Sequence, residues 1–428
     1  MVVWHESCNN NLSNMIFSVM AGRPPARAEE PLYHIKGKEK CFMAKLIVTN
    51  IGTIASGDIA NPIIKGDTIV IEDNLITAIG GKELAENAGD AKVIDACGTT
   101  VTPGLFDSHV HTTIGDYGTR QKTDGFIDSA LHGGVTSMIS AGECHVPGRP
   151  KDPAGTKALA ILAHKSFANL KPSGVKVHGG GLILEKGLVE KDFEELKEQG
   201  VWIVGEVGLG SVKKPEDAAP MVAWAHKYGF KVQMHTGGTS IPGSSTVTAA
   251  DVKATNPDVV SHINGGPTAI APHEVDLLMD TTNLTLEIVQ CGNPKIADYV
   301  ARRAKEKGVL NRVIFGNDAP SGTGIIPLGI LRNMCQISSV SDIAPEVTVC
   351  MATGNTARTY GLNTGVIAVG READLVIMDA PMGSIAADAL GAISCGDIPG
   401  ISHVIIDGAI KVTKSRNTPP PKRAAKVL

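Results

Sequence analysis

His109 and His111 lie two residues apart in the run GLFDSHVH. In an extended strand, residues i and i+2 leave the same face, so both imidazoles can reach one point. Groups of the same kind recur where other apolar runs close: Glu206 in GVWIVGEVGLG, His235 in GFKVQMHTGG, His262 in DVVSHING and Asp318 in RVIFGNDAP. Glu206 stands in an otherwise apolar stretch, where an unpaired carboxylate is costly to bury, so it needs a cation. Any one of these residues taken alone reads equally well as a hydrogen-bonded buried polar group. Together, four imidazoles and two carboxylates suit zinc, iron or manganese. Six donors are too many for one tetrahedral zinc, whereas two ions bridged by a carboxylate and a hydroxide use them all.

Something must bring those run ends to one place. Eight apolar runs end in polar or glycine-rich turns: the five above together with GGVTSMISAG, GVKVHGGG and LTLEIVQCGN. Helical stretches intervene, such as VEKDFEELKEQG, DAAPMVAWAHKYG and PKIADYVARRAKEKG, each stopping at a glycine as a helix terminus favours. This alternation predicts an α/β fold, a (β/α)8 TIM-type barrel over residues 105–363, with its chemistry at the C-terminal strand ends. Residues 43–104 and 364–428 read instead as short strands between Gly, Asn and Asp turns, and predict one small β-sandwich domain built from both the N- and C-terminal segments.

Composition narrows the function classes. Of 428 residues, 43% are hydrophobic and 20% charged, the net charge is −4, and aromatics make up 4%. A chain of this balance offers no basic patch for nucleic acid and few stacking platforms, and no apolar run is long enough to span a bilayer. The eight cysteines are scattered without a CxxC, which predicts reduced thiols in a cytoplasmic protein. Residues 1–42 are polar and proline-broken; they read as an extension, disordered or mis-assigned, with Met43 as the expected start.

HVH on the first strand, the carboxylate on the fourth, the histidines on the fifth and sixth, the aspartate on the eighth, and ATGNTARTYGLNTGVIAVGREADLVIMD leading out of the barrel resemble the amidohydrolase superfamily. GGPTAI, EIVQCGNPKIADYVARRA, GNDAPSGTGIIPLGILRNMCQISSVSDI and SRNTPPPKRAAK resemble its bacterial enamidases, which open lactams, from Met43 onward. The resemblance implies that His109, His111 and Asp318 hold one divalent ion, that His235 and His262 hold a second, and that Glu206 bridges them. Many relatives bridge with a carboxylated lysine; here Lys213 and Lys214 fall too far past the fourth strand and Lys176 belongs to the third. It also implies zinc, alone or paired with iron, and Asp318 as the proton shuttle while a bridging hydroxide attacks the amide carbonyl. The implied substrate is 6-oxo-1,4,5,6-tetrahydronicotinate, opened to 2-formylglutarate and ammonia in nicotinate degradation.

Such a substrate carries a carboxylate, and the loops after the first two strands offer Tyr117, Arg120, Lys122, Arg149 and Lys151. Arg149 is the favoured partner; a solvated loop charge is the plainer alternative for each. His145 and His178 follow the second and third strands and are read as substrate contacts or as groups orienting a ligand. Gln290, Cys291 and Asn293 close the seventh strand and are read as pocket lining, with no nucleophilic role for Cys291. Asp107 shares the face of His109 and is read as a brace. Dihydroorotase, hydantoinase and imidazolonepropionase are rivals within the superfamily; the first usually extends HxH to HxHxR, whereas position 113 is Thr113. A catalytically silent scaffold would not need all six donors. The expected partner is a small cyclic amide, with no nucleic acid and no membrane, and assembly into a homo-oligomer is expected.

Overall fold

The computed structural model describes residues 45–428 apart from 87, 113–122, 147, 240–244, 267 and 321–324, together with all side chains in that set except those of 123 and 124. Eight parallel strands follow one another as β1 (Leu105–Val110), β2 (Val135–Ser140), β3 (Lys176–His178), β4 (Ile203–Val207), β5 (Lys231–Met234), β6 (Val259–Val260), β7 (Thr285–Val289) and β8 (Val313–Gly316). Helices alternate with them: α1 (Thr123–Leu131), α2 (Pro153–Asn169), α3 (Glu190–Glu198), α4 (Pro215–Lys227), α5 (Ala249–Thr255), α6 (Pro272–Thr281), α7 (Pro294–Glu306) and α8 (Gly329–Ser341). The ladders form two arcs, β1 to β3 and β4 to β8. Single parallel bridges, Leu182 to Val204 and Val110 to Ala319, join the arcs into the expected barrel. Among the described residues, no helix is long and apolar enough to cross a membrane.

Local chemistry sets the helix ends. Asp152 caps α2 by accepting the N–H of Gly155, and Thr248 and Asp251 form a reciprocal capping box on α5. The helices predicted from their glycine stops are α3, α4 and α7, and Gly200, Gly229 and Gly308 beyond them all have positive φ. α7 turns Ala297, Val300, Ala301 and Ala304 inward and keeps Arg302, Arg303 and Lys305 outside, the stripe a barrel helix requires.

Strands from both ends of the chain share each of two further sheets. One orders Lys426–Val427, Lys92–Asp95, Lys45–Thr49, Thr68–Glu72 and Leu75–Gly80. The other orders Ala409–Val412, Gly400–Ile406, Leu375–Asp379, Thr100–Pro103, Thr53–Ala55 and Ile63–Ile64. Leu46, Val48, Ile69, Ile71, Val101, Leu375, Ile377 and Ile405 form an apolar cluster separate from the barrel core.

Lys176, which opens β3, ties the barrel to this domain. Its ammonium lies 2.7 Å from Glu372, 2.9 Å from Asp374 and 2.6 Å from Asp407. Burial opposes its charge, but the Asp374 carboxylate and the bonds from Asp407 and Glu372 hold it above the ordinary lysine value. A lysine so held contributes its full stabilisation below about pH 10 and loses it only as pH rises through the raised value. Lys176→Met strands a fully buried Asp374, and we expect a cost of about 3–5 kcal/mol, read as a lower urea midpoint at neutral pH.

Candidate metal centre

The first donors come from β1, whose six residues are all buried. Asp107 accepts the main-chain N–H of Asn317 at 2.9 Å and its side-chain amide at 2.7 Å, while the N–H of Asp318 donates to the His109 carbonyl at 2.9 Å. These bonds sew the end of β8 to β1, and Asp107 is the brace read from the sequence. Burial pushes its carboxyl up to about 7 against the pull of the Asn317 bonds. The two strands approach so closely that a Cβ on Gly316 would lie 2.7 Å from Cβ of His109.

Nδ1 of His109 lies 2.7 Å from the Glu287 carboxylate, and Nδ1 of His111 lies 3.0 Å from the carbonyl of Gly142. Both acceptors demand an N–H, so each ring carries its proton on Nδ1 and turns a bare lone pair on Nε2 inward. Those two Nε2 atoms are 3.3 Å apart, and Oδ1 of Asp318 lies 3.6 Å from one and 3.2 Å from the other. Three lone-pair donors converging in a buried pocket repel one another unless a cation lies among them.

A second cluster adjoins the first. Nε2 of His262 is 2.6 Å from Oε1 of Glu206 and 3.0 Å from Nδ1 of His235. Glu206 turns its oxygens to different partners. Oε2 faces His109 at 3.6 Å and His111 at 3.4 Å, whereas Oε1 faces His262 and, at 3.8 Å, His235. Burial would raise Glu206, but His109 and His262 beside it hold its carboxyl well below the usual range. Burial would also raise Asp318, and the His111 bond and neighbouring imidazoles reverse it. His262 and Asp318 both have positive φ, +34° and +56°, a backbone that non-glycine residues adopt at an energetic cost and that clusters at functional sites. The structure thus brings all six predicted donors together as His109, His111 and Asp318 on one side and Glu206, His235 and His262 on the other. This donor set fits a pair of divalent ions.

The remaining candidates divide. His145 lies beside the first cluster, its ring 5.0 Å from that of His111, and Cys144 Sγ is 3.3 Å from His111 Nδ1. Burial would raise the Cys144 thiol, but His111 and His145 pull it down to about 6. Cys291 donates to Oδ2 of Asp318 at 3.2 Å, and the neighbouring Gln290 has a buried Oε1 without a hydrogen-bond partner among the described residues. Asn293 instead caps α7, its side-chain oxygen accepting the N–H groups of Lys295 and Ile296. Arg149 donates to the buried Glu185 at 2.7 Å, so its charge is matched within the protein rather than waiting for a substrate carboxylate.

His178 is not among the converging donors: it packs edge-on against Trp202 in a cleft with Lys176 and Leu362. The third strand does not reach the barrel mouth at His178, because the chain runs on through 179–181 to the bridge at Leu182. Burial pushes its imidazole down to about 4. Thr113, Tyr117, Arg120 and Lys122 lie outside the described residues.

Sequence reading missed Glu287, Asn317 and the buried Glu143. Glu287 interrupts the apolar run LTLEIVQ as Glu206 interrupts its own, and that same signal could have found it. Gly316→Ala should displace His109, costing about 1–3 kcal/mol by overpacking, read in urea denaturation, and should lower metal retained after dialysis. Arg149→Ala should lower the urea midpoint with or without substrate, because Glu185 loses its cation.

The sequence pattern of the amidohydrolase family matches residues 100–411. The chain is 74% identical over 386 residues to an enamidase of Eubacterium barkeri, covering 90% of this chain and 100% of that one. A solved enamidase structure superposes with a TM-score of 0.88 at 74% identity, again over 90% and 100% of the two chains. A dihydroorotase of Trichlorobacter lovleyi is 32% identical over 188 residues, 42% of this chain and 40% of its own. With its barrel, its mouth of imidazoles and carboxylates and a family match over most of its length, the chain belongs to the amidohydrolase family.

Proposed function

We propose that this protein is a binuclear-metal hydrolase that opens the cyclic enamide 6-oxo-1,4,5,6-tetrahydronicotinate, yielding 2-formylglutarate and ammonia in nicotinate degradation. The observation that carries the reading is the buried convergence of His109, His111, Asp318, Glu206, His235 and His262. The enamidase relative, alike over its whole length, supplies the substrate class. Zinc, alone or paired with ferrous iron, suits four imidazoles and two carboxylates. Bound divalent ions supply hydroxide at neutral pH and polarise the amide carbonyl.

Asp318 does the proton chemistry. Its side chain is 14% exposed, against 0–6% for the other five donors, so it is the group with an edge open to the mouth. Its carboxylate takes the proton of the attacking water as the new C–O bond forms, and returns it to the ring nitrogen as the C–N bond breaks. The Cys291 thiol donates to Oδ2 and leaves Oδ1 turned toward the histidines. His109, His111, His235 and His262 would hold the ions through ring nitrogens and Glu206 through its carboxylate, which leaves the proton transfers to Asp318. The released enamine tautomerises to an imine, and a second water takes it to the aldehyde and ammonia.

Purified protein should release ammonia from 6-oxo-1,4,5,6-tetrahydronicotinate and form no N-carbamoyl amino acid from dihydroorotate or hydantoin, with about two metal ions per chain in the same sample. Ring opening of dihydroorotate or hydantoin, read as the N-carbamoyl amino acid, with no ammonia from the tetrahydronicotinate, would overturn the substrate. Asp318→Asn should lower kcat by about 10²–10⁴-fold. Glu206→Ala should lose the second ion; retention of two ions and full activity would refute the bridging role.

A further inference from the structure

Glu287 is a carboxylate in the middle of β7 whose side chain is fully enclosed, and the proton transfers above do not use it. Its Oε1 accepts the Ser108 hydroxyl at 2.5 Å. Its Oε2 accepts Nδ1–H of His109 at 2.7 Å and, at 3.4 Å, the main-chain N–H of His262. The Glu287 carbonyl accepts the next main-chain N–H, that of Ile263, at 2.8 Å. One residue therefore grips the imidazole of a donor from the first cluster and two successive amides at a donor from the second.

Each grip has a separate consequence. A carboxylate on Nδ1–H fixes the tautomer that turns Nε2 of His109 inward and makes that nitrogen a stronger donor. At His262 the backbone stands at φ +34°, a conformation that persists only where its surroundings hold it. The side chain and carbonyl of Glu287 hold it on both amides, and so aim the His262 ring at Glu206. Ser108, on β1 one strand beyond β8, pins the remaining carboxylate oxygen, so the carboxylate cannot turn toward one cluster without leaving the other.

We propose that Glu287 is a positioning residue that couples the two metal sites, setting the affinity of both ions although it ligates neither. The proposal rests on the two-ion reading of the six donors. Two variants test it. Glu287→Leu removes all the side-chain bonds. Glu287→Gln keeps an oxygen for His109 and His262 and turns its amide to Ser108, so it keeps the geometry and removes the charge.

Protein stripped by a chelator would be titrated with Zn²⁺ by calorimetry, and the absorption spectrum of the Co²⁺-loaded form recorded beside the melting temperature of the stripped form. Glu287→Leu should weaken both ions by about 10–100-fold and change the cobalt bands. Glu287→Gln should keep the melting temperature of the stripped protein, lose about tenfold at the first ion and still change the cobalt bands. If the leucine variant does not fold, the glutamine variant carries the test. Wild-type constants and an unchanged spectrum in the glutamine variant overturn the proposal, and so does a leucine variant weakened at one ion only. Wild-type protein that takes up no Zn²⁺ would instead overturn the two-ion reading, and the coupling with it.

Discussion

Two imidazole nitrogens that must both present lone pairs, 3.3 Å apart and facing a carboxylate oxygen, set the problem that the barrel mouth solves. The repulsion follows from hydrogen bonds outside the cluster, because Glu287 and the Gly142 carbonyl each claim a proton from the far side of a ring. Burial makes every uncompensated charge there more costly. Divalent cations relieve it, which is why the chemistry of the site follows from how its histidines are held.

The scaffold gives up regular structure to hold them so. β6 has only two ladder residues before the chain turns at His262, and β8 ends at Gly316, two residues before the turn at Asp318. Both turns use positive φ at residues that seldom adopt it, and in both a main-chain bond to the adjoining strand supports the turn: Ile263 to Glu287, Asp318 to His109. Strain at two donors is thus held by neighbouring strands, and the parallel order of the barrel brings those strands together.

Polar burial recurs elsewhere with a structural purpose. Lys176 and its three carboxylates fasten β3 to the sandwich, and Arg149 with Glu185 fastens the loop after β2 to the chain beyond β3. Both are charge pairs of the kind a functional reading claims first. Each is satisfied within the protein, and that separates them from the six residues at the mouth, whose inward-facing nitrogens and oxygens converge on one another.

Much was legible in the sequence for a physical reason: strand periodicity places His109 and His111 on one face, and parallel alternation brings the closing residues of distant apolar runs to one end of a barrel. Those regularities determined the architecture and the six residues that meet at its mouth. They could not determine how far a strand continues past its apolar run. His178 looked like a mouth residue because three glycines follow it, yet the chain runs on through them. Nor could spacing say whether a loop cation is already paired, so Arg149 looked available and Glu185 went unnoticed. Asn293 looked like pocket lining and serves as a helix cap. Glu287 showed the same interruption of an apolar run as Glu206, and only the folded barrel distinguishes the carboxylate between the two clusters from the one behind them. Strand order and periodicity are local and repeat along the chain; pairing partners are fixed by contacts between residues as distant as His109 and Glu287, and those exist only once the barrel has closed.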